Sequence, residues 1–353
     1  MSEVLYDLTP EQFGPLWKYI EDPEVTDIDF NGRTLWITNL RTGRYPANEN
    51  LTDDFLIAFA HNMGNCVNKP FNNANKILEA DTKDLRISIL HDSIATTGMS
   101  ICIRKAPPIV RNTISGMIRN GYCQKDILAL LINCALTGMN FVVGGEPGSG
   151  KTEFVKFLMQ FIPLEKRVIT IEDSLEIHYR DINPGADAVE LRIGDGVDYA
   201  DAIKACLRQN PMWLVLSEAR STEVKWLLEQ WSTGVNGLTT IHLDDLRKLP
   251  DRIENMMSDV ADASRLENRI YRYVNVGIMI RRVREPDGSS RRYIDQMCFF
   301  AREEQKNRIY MLVEDGELIS REIPVDIQKR LGRAGINDFY QCELMDQYIA
   351  KGM

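Results

Sequence analysis

Eight residues near the middle of the chain leave few folds open. Gly145-Glu146-Pro147-Gly148-Ser149-Gly150-Lys151-Thr152 fits G-x-x-x-x-G-K-[ST] without a mismatch. Such a loop works between a strand and a helix. Its glycines let the backbone curl until successive N–H groups point inward at phosphate oxygens. The helix that follows adds the positive end of its dipole. Lys151 supplies a compact cation for the β and γ phosphates, and Thr152 a hydroxyl for Mg²⁺. By composition alone the pattern arises in roughly 1% of chains this long. Its surroundings argue against chance. An apolar strand, Phe141-Val142-Val143, precedes it. Thr152 to Ile162 then places Phe154, Phe157, Leu158 and Phe161 on one helical face, and Pro163 ends the helix. The expectation is nucleoside triphosphate binding by Gly145 through Thr152 and the adjoining Glu153.

From Asn120 onward strands alternate with helices, which implies a parallel sheet and an α/β domain. Further strands are expected at Arg167–Ile171, Trp213–Leu216 and Leu238–Ile241. After about Asp245 the pattern is mainly helical. A hairpin follows, Asn275–Arg284 then Arg291–Phe300, around Pro286-Asp287-Gly288. The first hundred residues read differently. Thr26–Phe30 and Thr34–Thr38 flank Asn31-Gly32, a hairpin signal. Asp53 to Met63 is helical by spacing, and Leu85–Ile89 and Ser100–Arg104 are strands. Lys105-Ala106-Pro107-Pro108-Ile109-Val110 opens a linker, because two prolines favour extended chain and withhold amides from a ladder. The expected division is an N-terminal α+β domain over 1–104, a linker over 105–119 and the phosphate-loop domain over 120–353.

Composition narrows the class. At 44% hydrophobic and 26% charged, the chain can bury a sizeable core. Asp plus Glu number 51 against 42 Lys plus Arg, a formal net charge of −9, so nucleic acid is not the expected partner. The seven cysteines show no CxxC spacing and no nearby His pair, which argues against a metal tetrad and for buried thiols in a reducing compartment. The acidic start, Met1 to Asp7, lacks the basic and apolar regions of a signal peptide. Ile127 to Gly145 carries no charge, but asparagines and glycines interrupt it. A helix (about Gln124–Leu136) followed by a buried strand (about Asn140–Gly144) explains it better than a membrane span.

What becomes of the γ-phosphate depends on the tips of the later strands, where open α/β sheets place ligands. Three stations qualify. Thr170-Ile171-Glu172-Asp173 ends one strand; its acids are ligands or helix caps. Trp213-Leu214-Val215-Leu216-Ser217-Glu218 delivers a carboxylate at the tip of an apolar strand. Thr239-Thr240-Ile241-His242 places an imidazole, either structural or hydrogen-bonded to the γ-phosphate. Two carboxylates and one imidazole suit attack by water better than transfer to a small acceptor.

The order of phosphate loop, ITIED, a strand ending in SEAR, STG and TTIH resembles the Walker A, Asp box, Walker B and His box of secretion traffic ATPases. These power type II and type IV secretion, type IV pili and tight-adherence pili. Pro23–Ile28 with Asn31-Gly32, Gly98–Lys105, Leu207-Arg208 with Pro211, and Asp287–Arg292 match as well, closest to the type IV secretion and tight-adherence subgroup. The resemblance implies a RecA-like P-loop NTPase domain, an N-terminal α+β (PAS-like) domain, and an ATP hydrolase that uses Mg²⁺. It implies Glu172 near metal and water, Glu218 as the acid polarising the attacking water, and His242 as γ-phosphate sensor. Lys151 serves the transferred phosphate, and Thr152 and Glu172 the metal. Arg86 and Arg104 would reach the nucleotide when the N-terminal domain closes; otherwise they are surface strand arginines. The family works as a homohexamer, cytoplasmic and peripheral at the membrane, on an inner-membrane platform protein. The chain departs from the pattern at Ser217, where Gly is usual, around Arg208–Met212, and at Val235, where a His is common.

Arg281, Arg282, Arg284, Arg291 and Arg292 crowd twelve residues. A nucleic-acid translocase would use such a patch. The favoured reading is a hairpin whose arginines pair with acids of a neighbouring domain or subunit. A nucleotide-gated scaffold without turnover is the other alternative, and intact Glu172, Glu218 and His242 argue against it.

Overall fold

The computed structural model describes residues 9–194, 196–257, 263–286 and 289–350. Met1 to Asp7 and the turn residues Asp287 and Gly288, both read above, lie outside them. The chain divides into two compact units. One comprises the residues up to Pro108 with 174–176 and 284–290; the other comprises 109–173, 177–283 and 291–353.

The first unit is built on six strands: β1 (Val25–Phe30), β2 (Leu35–Asn39), β3 (Gly43–Pro46), β4 (Ile77–Asp81), β5 (Leu85–Leu90) and β6 (Ser100–Lys105). Their order is β3-β2-β1-β6-β5-β4 and every pairing is antiparallel. The β1–β2 turn follows from Asn31, whose Oδ1 accepts the N–H groups of Arg33 (3.0 Å) and Thr34 (2.8 Å). Gly32 takes φ of +89°, and a Cβ there would lie 2.4 Å from the Thr97 carbonyl oxygen, so no other residue fits. The helix Asp53–Cys66 starts where Thr52 Oγ1 accepts the Phe55 N–H. It buries Leu56, Phe59 and Met63 with Ile28, Ile37, Ile87 and Ile103 of the sheet. Burial alternates along β5 and β6, leaving Arg86 and Arg104 outside the core.

The second unit carries nine strands: β7 (Phe141–Gly145), β8 (Val168–Glu172), β9 (Ala188–Arg192), β10 (Trp213–Leu216), β11 (Asn236–Ile241), β12 (Val276–Arg284), β13 (Ser290–Glu303), β14 (Lys306–Glu314) and β15 (Glu317–Leu318). The order is β15-β14-β13-β12-β7-β11-β10-β8-β9. From β12 to β9 the pairings are parallel, as strand–helix alternation implied. The expected hairpin is no appendage, because its first strand extends the main sheet beside β7.

Strands covered on both faces have no polar side. β7, β8 and β10 are buried at every position. Phe141, Val143, Trp213, Val215 and Ile278 face one core with the helices Lys125–Leu136 and Lys151–Met159. Val142, Ile169, Leu214, Leu216 and Met279 face the other, with Tyr199–Cys206, Glu223–Ser232 and Leu249–Met256. Each such side chain contributes about 1.5–3 kcal/mol. The uncharged stretch resolves into the helix Lys125–Leu136 and β7. Within the span expected to link the domains, the helix Ile114–Arg119 puts Ile114 and Met117 into the first of these cores. Among the described residues no helix is long and apolar enough to cross a membrane.

Candidate nucleotide site

Because β7, β8, β10 and β11 run parallel, their C-terminal ends share one edge. β7 ends in the loop Glu146–Gly150, and Gly148 (φ +73°) and Gly150 (φ +97°) hold left-handed conformations there. Gly150 caps the helix that begins at Lys151. Lys151, 8% exposed, is folded back so that Nζ donates to the carbonyls of Gly145 (3.0 Å) and Glu146 (3.1 Å). Thr152 is the next helical residue. Glu153 Oε1 accepts from Lys156 Nζ at 3.4 Å.

His242 follows directly on β11 and joins two of the other stations. Its Nδ1 lies 3.3 Å from Lys151 Nζ and 3.3 Å from the Gly145 carbonyl oxygen, and its Nε2 lies 3.0 Å from Glu218 Oε1. With its proton on Nε2 the ring donates to the carboxylate and Nδ1 accepts from the ammonium, which leaves the Gly145 carbonyl to Lys151. Lys151, His242 and Glu218 thus form one continuous chain of polar contacts. Beside it a cleft of about 590 Å³ is lined by Gly145, Glu146, Pro147, His242, Asp251 and Arg252, among others.

Glu218 stands at the tip of β10 and is clamped from its other side by Arg220 Nη2, 3.0 Å from Oε2. Arg220 Nη1 also donates to Asp173 Oδ2 at 2.6 Å. Burial works against the guanidinium's charge, but the bonds and charges of Glu218 and Asp173 outweigh it and hold Arg220 above its ordinary range. Ser217 Oγ lies 3.1 Å from the Tyr199 hydroxyl, which accepts the Asp173 N–H at 3.1 Å. Burial pushes the Tyr199 phenol up to about 12. The Ser217 carbonyl accepts from Thr240 Oγ1 at 2.6 Å, which ties β10 to β11.

Glu172 closes β8 at 1% exposure, and its Oε2 accepts the Ile177 N–H at 2.9 Å. Arg86 and Arg104 are directly opposed across β5 and β6 in the first unit, and Arg104 Nε donates to Asp27 Oδ1 at 3.0 Å. The arginine run is also redistributed. Arg281 finds an acid on the adjacent strand of its own unit, Asp295 at 2.8 Å. Sequence reasoning passed over Arg220 and Tyr199. Arg220 stood inside the SEAR string, but Tyr199 carried no signal, because its helix reaches the site through tertiary packing alone.

Residues 72–335, well over half the chain, match the family model described as type II/IV secretion system protein. The chain belongs to the type II/IV secretion system protein family. Among relatives of this secretion family, an uncharacterised protein of Bacillus anthracis is 29% identical over 276 residues, 76% of this chain and 62% of its own length. The chain therefore spans less than two thirds of that relative. The type IV secretion system protein VirB11 of Brucella suis is 26% identical over 302 residues, 75% of this chain and 83% of VirB11. The solved structure of the Legionella pneumophila ATPase DotB aligns with 97% of this chain and 91% of its own, at a TM-score of 0.64 and 16% identity. That last likeness concerns the fold: a RecA-like α/β domain preceded by an α+β domain.

Proposed function

We propose that this secretion-family chain is an ATP-hydrolysing motor that drives a secretion or pilus machine. One observation carries the reading: the phosphate-loop Lys151 and the strand-tip Glu218 are bridged by His242 in unbroken polar contact. Nothing in packing demands that a lysine, an imidazole and a carboxylate converge at the end of a buried sheet. Hydrolysis of a phosphoanhydride does. Kinship with VirB11 and the fold of the ATPase DotB support the same reading.

In this mechanism the loop amides and Lys151 hold the triphosphate. Glu218 orients the attacking water and accepts its proton. Arg220 and His242 fix both carboxylate oxygens, so the base meets the water in one orientation. On binding, the γ-phosphate would compete for the Lys151 N–H groups, and His242, freed from Lys151 at Nδ1, would report its presence to Glu218 through Nε2. Among the described residues no three His, Cys, Asp or Glu side chains form a self-sufficient metal cage. Mg²⁺ would be held by the Thr152 hydroxyl and the Glu172 carboxylate, both hard oxygen donors. Mg²⁺ supplies charge neutralisation on the phosphate oxygens.

Residues 120–353 would form the motor domain and 1–104 the domain that closes with Arg86 and Arg104 on the phosphates. The working form would be a homohexamer, cytoplasmic and peripheral to the membrane, acting on an inner-membrane platform protein. Mg-ATP turnover across size-fractionated protein tests this. Activity confined to a ring-sized fraction, and abolished in Lys151→Ala, is the expected result. A ring that binds ATP without turnover would favour the scaffold alternative.

A further inference from the structure

The β12–β13 pair lays two arginines against the phosphate loop. Arg292 Nη2 of β13 is 3.5 Å from the Gly148 carbonyl oxygen. A Cβ placed on Gly150 would lie 3.1 Å from Arg292 Cδ, and one on Gly148 would lie 3.5 Å from Arg282 Nη1 of β12. The Arg292 stem and the Arg282 guanidinium therefore lie against the loop's left-handed glycines.

These arginines have little to hold them there. Among the described residues neither Arg282 nor Arg292 forms an ion pair, in contrast to Arg281 with Asp295. Among the described residues one of the five Arg292 N–H donors has a protein acceptor, and that bond is long. Burial, together with the like charges of Arg282 and Arg111, pulls the Arg292 guanidinium below its ordinary range, and Tyr122 and Glu153 offset this only in part. The Tyr122 hydroxyl and Glu153 Oε2 are themselves buried without hydrogen-bond partners. A cationic pair, half-buried at Arg292 and exposed at Arg282, with spare planar donors beside the loop is matched by phosphate oxygens.

We propose that Arg292 and Arg282 are phosphate-contacting residues of the nucleotide site, supplied by the same domain as the phosphate loop and additional to Arg86 and Arg104. The assignment rests on the nucleotide reading above. It is tested by equilibrium titration of the full chain with a fluorescent ADP analogue, alongside thermal melting. Arg292→Gln keeps a donor for the Gly148 carbonyl but loses the charge, and it weakens ADP binding at least tenfold. Arg292→Lys keeps the charge and stays within about threefold of the unaltered chain. Arg282→Gln, at an exposed position, weakens binding severalfold with no change in melting temperature. Unaltered binding in Arg292→Gln overturns the assignment. So does equal weakening in Arg292→Gln and Arg292→Lys with parallel loss of thermal stability, the signature of a structural prop. If the unaltered chain binds no ADP, the nucleotide reading falls first and the assignment with it.

Discussion

Glu218→Gln separates chemistry from architecture at this site. The carboxylate receives His242 Nε2 and Arg220 Nη2, each at 3.0 Å, one on each oxygen. A glutamine offers one acceptor oxygen and one donating amide, so one of these two contacts is lost. Arg220 and His242 side chains are 50% and 40% exposed, so water takes up most of the difference. The stability cost is then about 1 kcal/mol, or a fall of about 2–4 °C in Tm for a unit of this size. The catalytic cost is of another order. Removing a positioned general base lowers the rate about 10²- to 10⁴-fold, equivalent to roughly 3–5 kcal/mol of barrier. Steady-state Mg-ATP turnover should therefore fall at least 100-fold in kcat, while the nucleotide Kd stays within about threefold. A kcat within tenfold of the unaltered chain would refute the role of Glu218. A Kd that rises by the same factor as kcat falls would show instead that the variant had lost the pocket.

Other outcomes follow from contacts elsewhere. Tyr199 shares a hydroxyl contact with Ser217, the residue before Glu218, so Tyr199→Phe and Ser217→Gly should each lower kcat several-fold, and the double variant no further; multiplicative losses in the double-mutant cycle would show that the pair does not act as a unit. Arg330 donates to the carbonyls of Thr137 and Gly138 and to Asn236 Oδ1 at the opposite end of the sheet. Arg330→Met should cost about 3 kcal/mol, lowering Tm by about 6–12 °C in a melting scan with nucleotide affinity unchanged. Burial raises the Cys206 thiol from 9.0 to about 11. The folded state favours the neutral thiol, so this contribution is complete below about pH 9 and is lost as pH rises through 11. Chemical denaturation across that window should show a decline that Cys206→Ala reduces.

The legible parts of this molecule were those whose physics is local. β7, β8, β10 and β11 announced themselves as short apolar runs, because a strand buried on both faces has no polar side to show. β9 did not, because Val189 and Leu191 are separated by Glu190 and none of its positions is fully buried. The Asn275 hairpin was visible as two strands, but its place beside β7 was not. Pairing across the sheet is set by which edge is open when the helices have packed, not by the strand's own residues. Arg281 was assigned a partner in another domain or subunit for the same reason: Asp295 becomes its neighbour only when the two strands lie side by side.

The chain's own residues determined the strand–loop–helix unit at Gly145–Thr152, since φ preferences, apolar spacing and donor geometry act over a few consecutive positions. They also marked Glu172, Glu218 and His242 as strand-tip groups. Tertiary structure alone decided which of these meet. Lys151 and His242 are 91 residues apart in the chain yet 3.3 Å apart in space, and His242 in turn reaches Glu218. Strand order and side-chain rotamer decide such meetings, and both depend on the packing of the whole sheet.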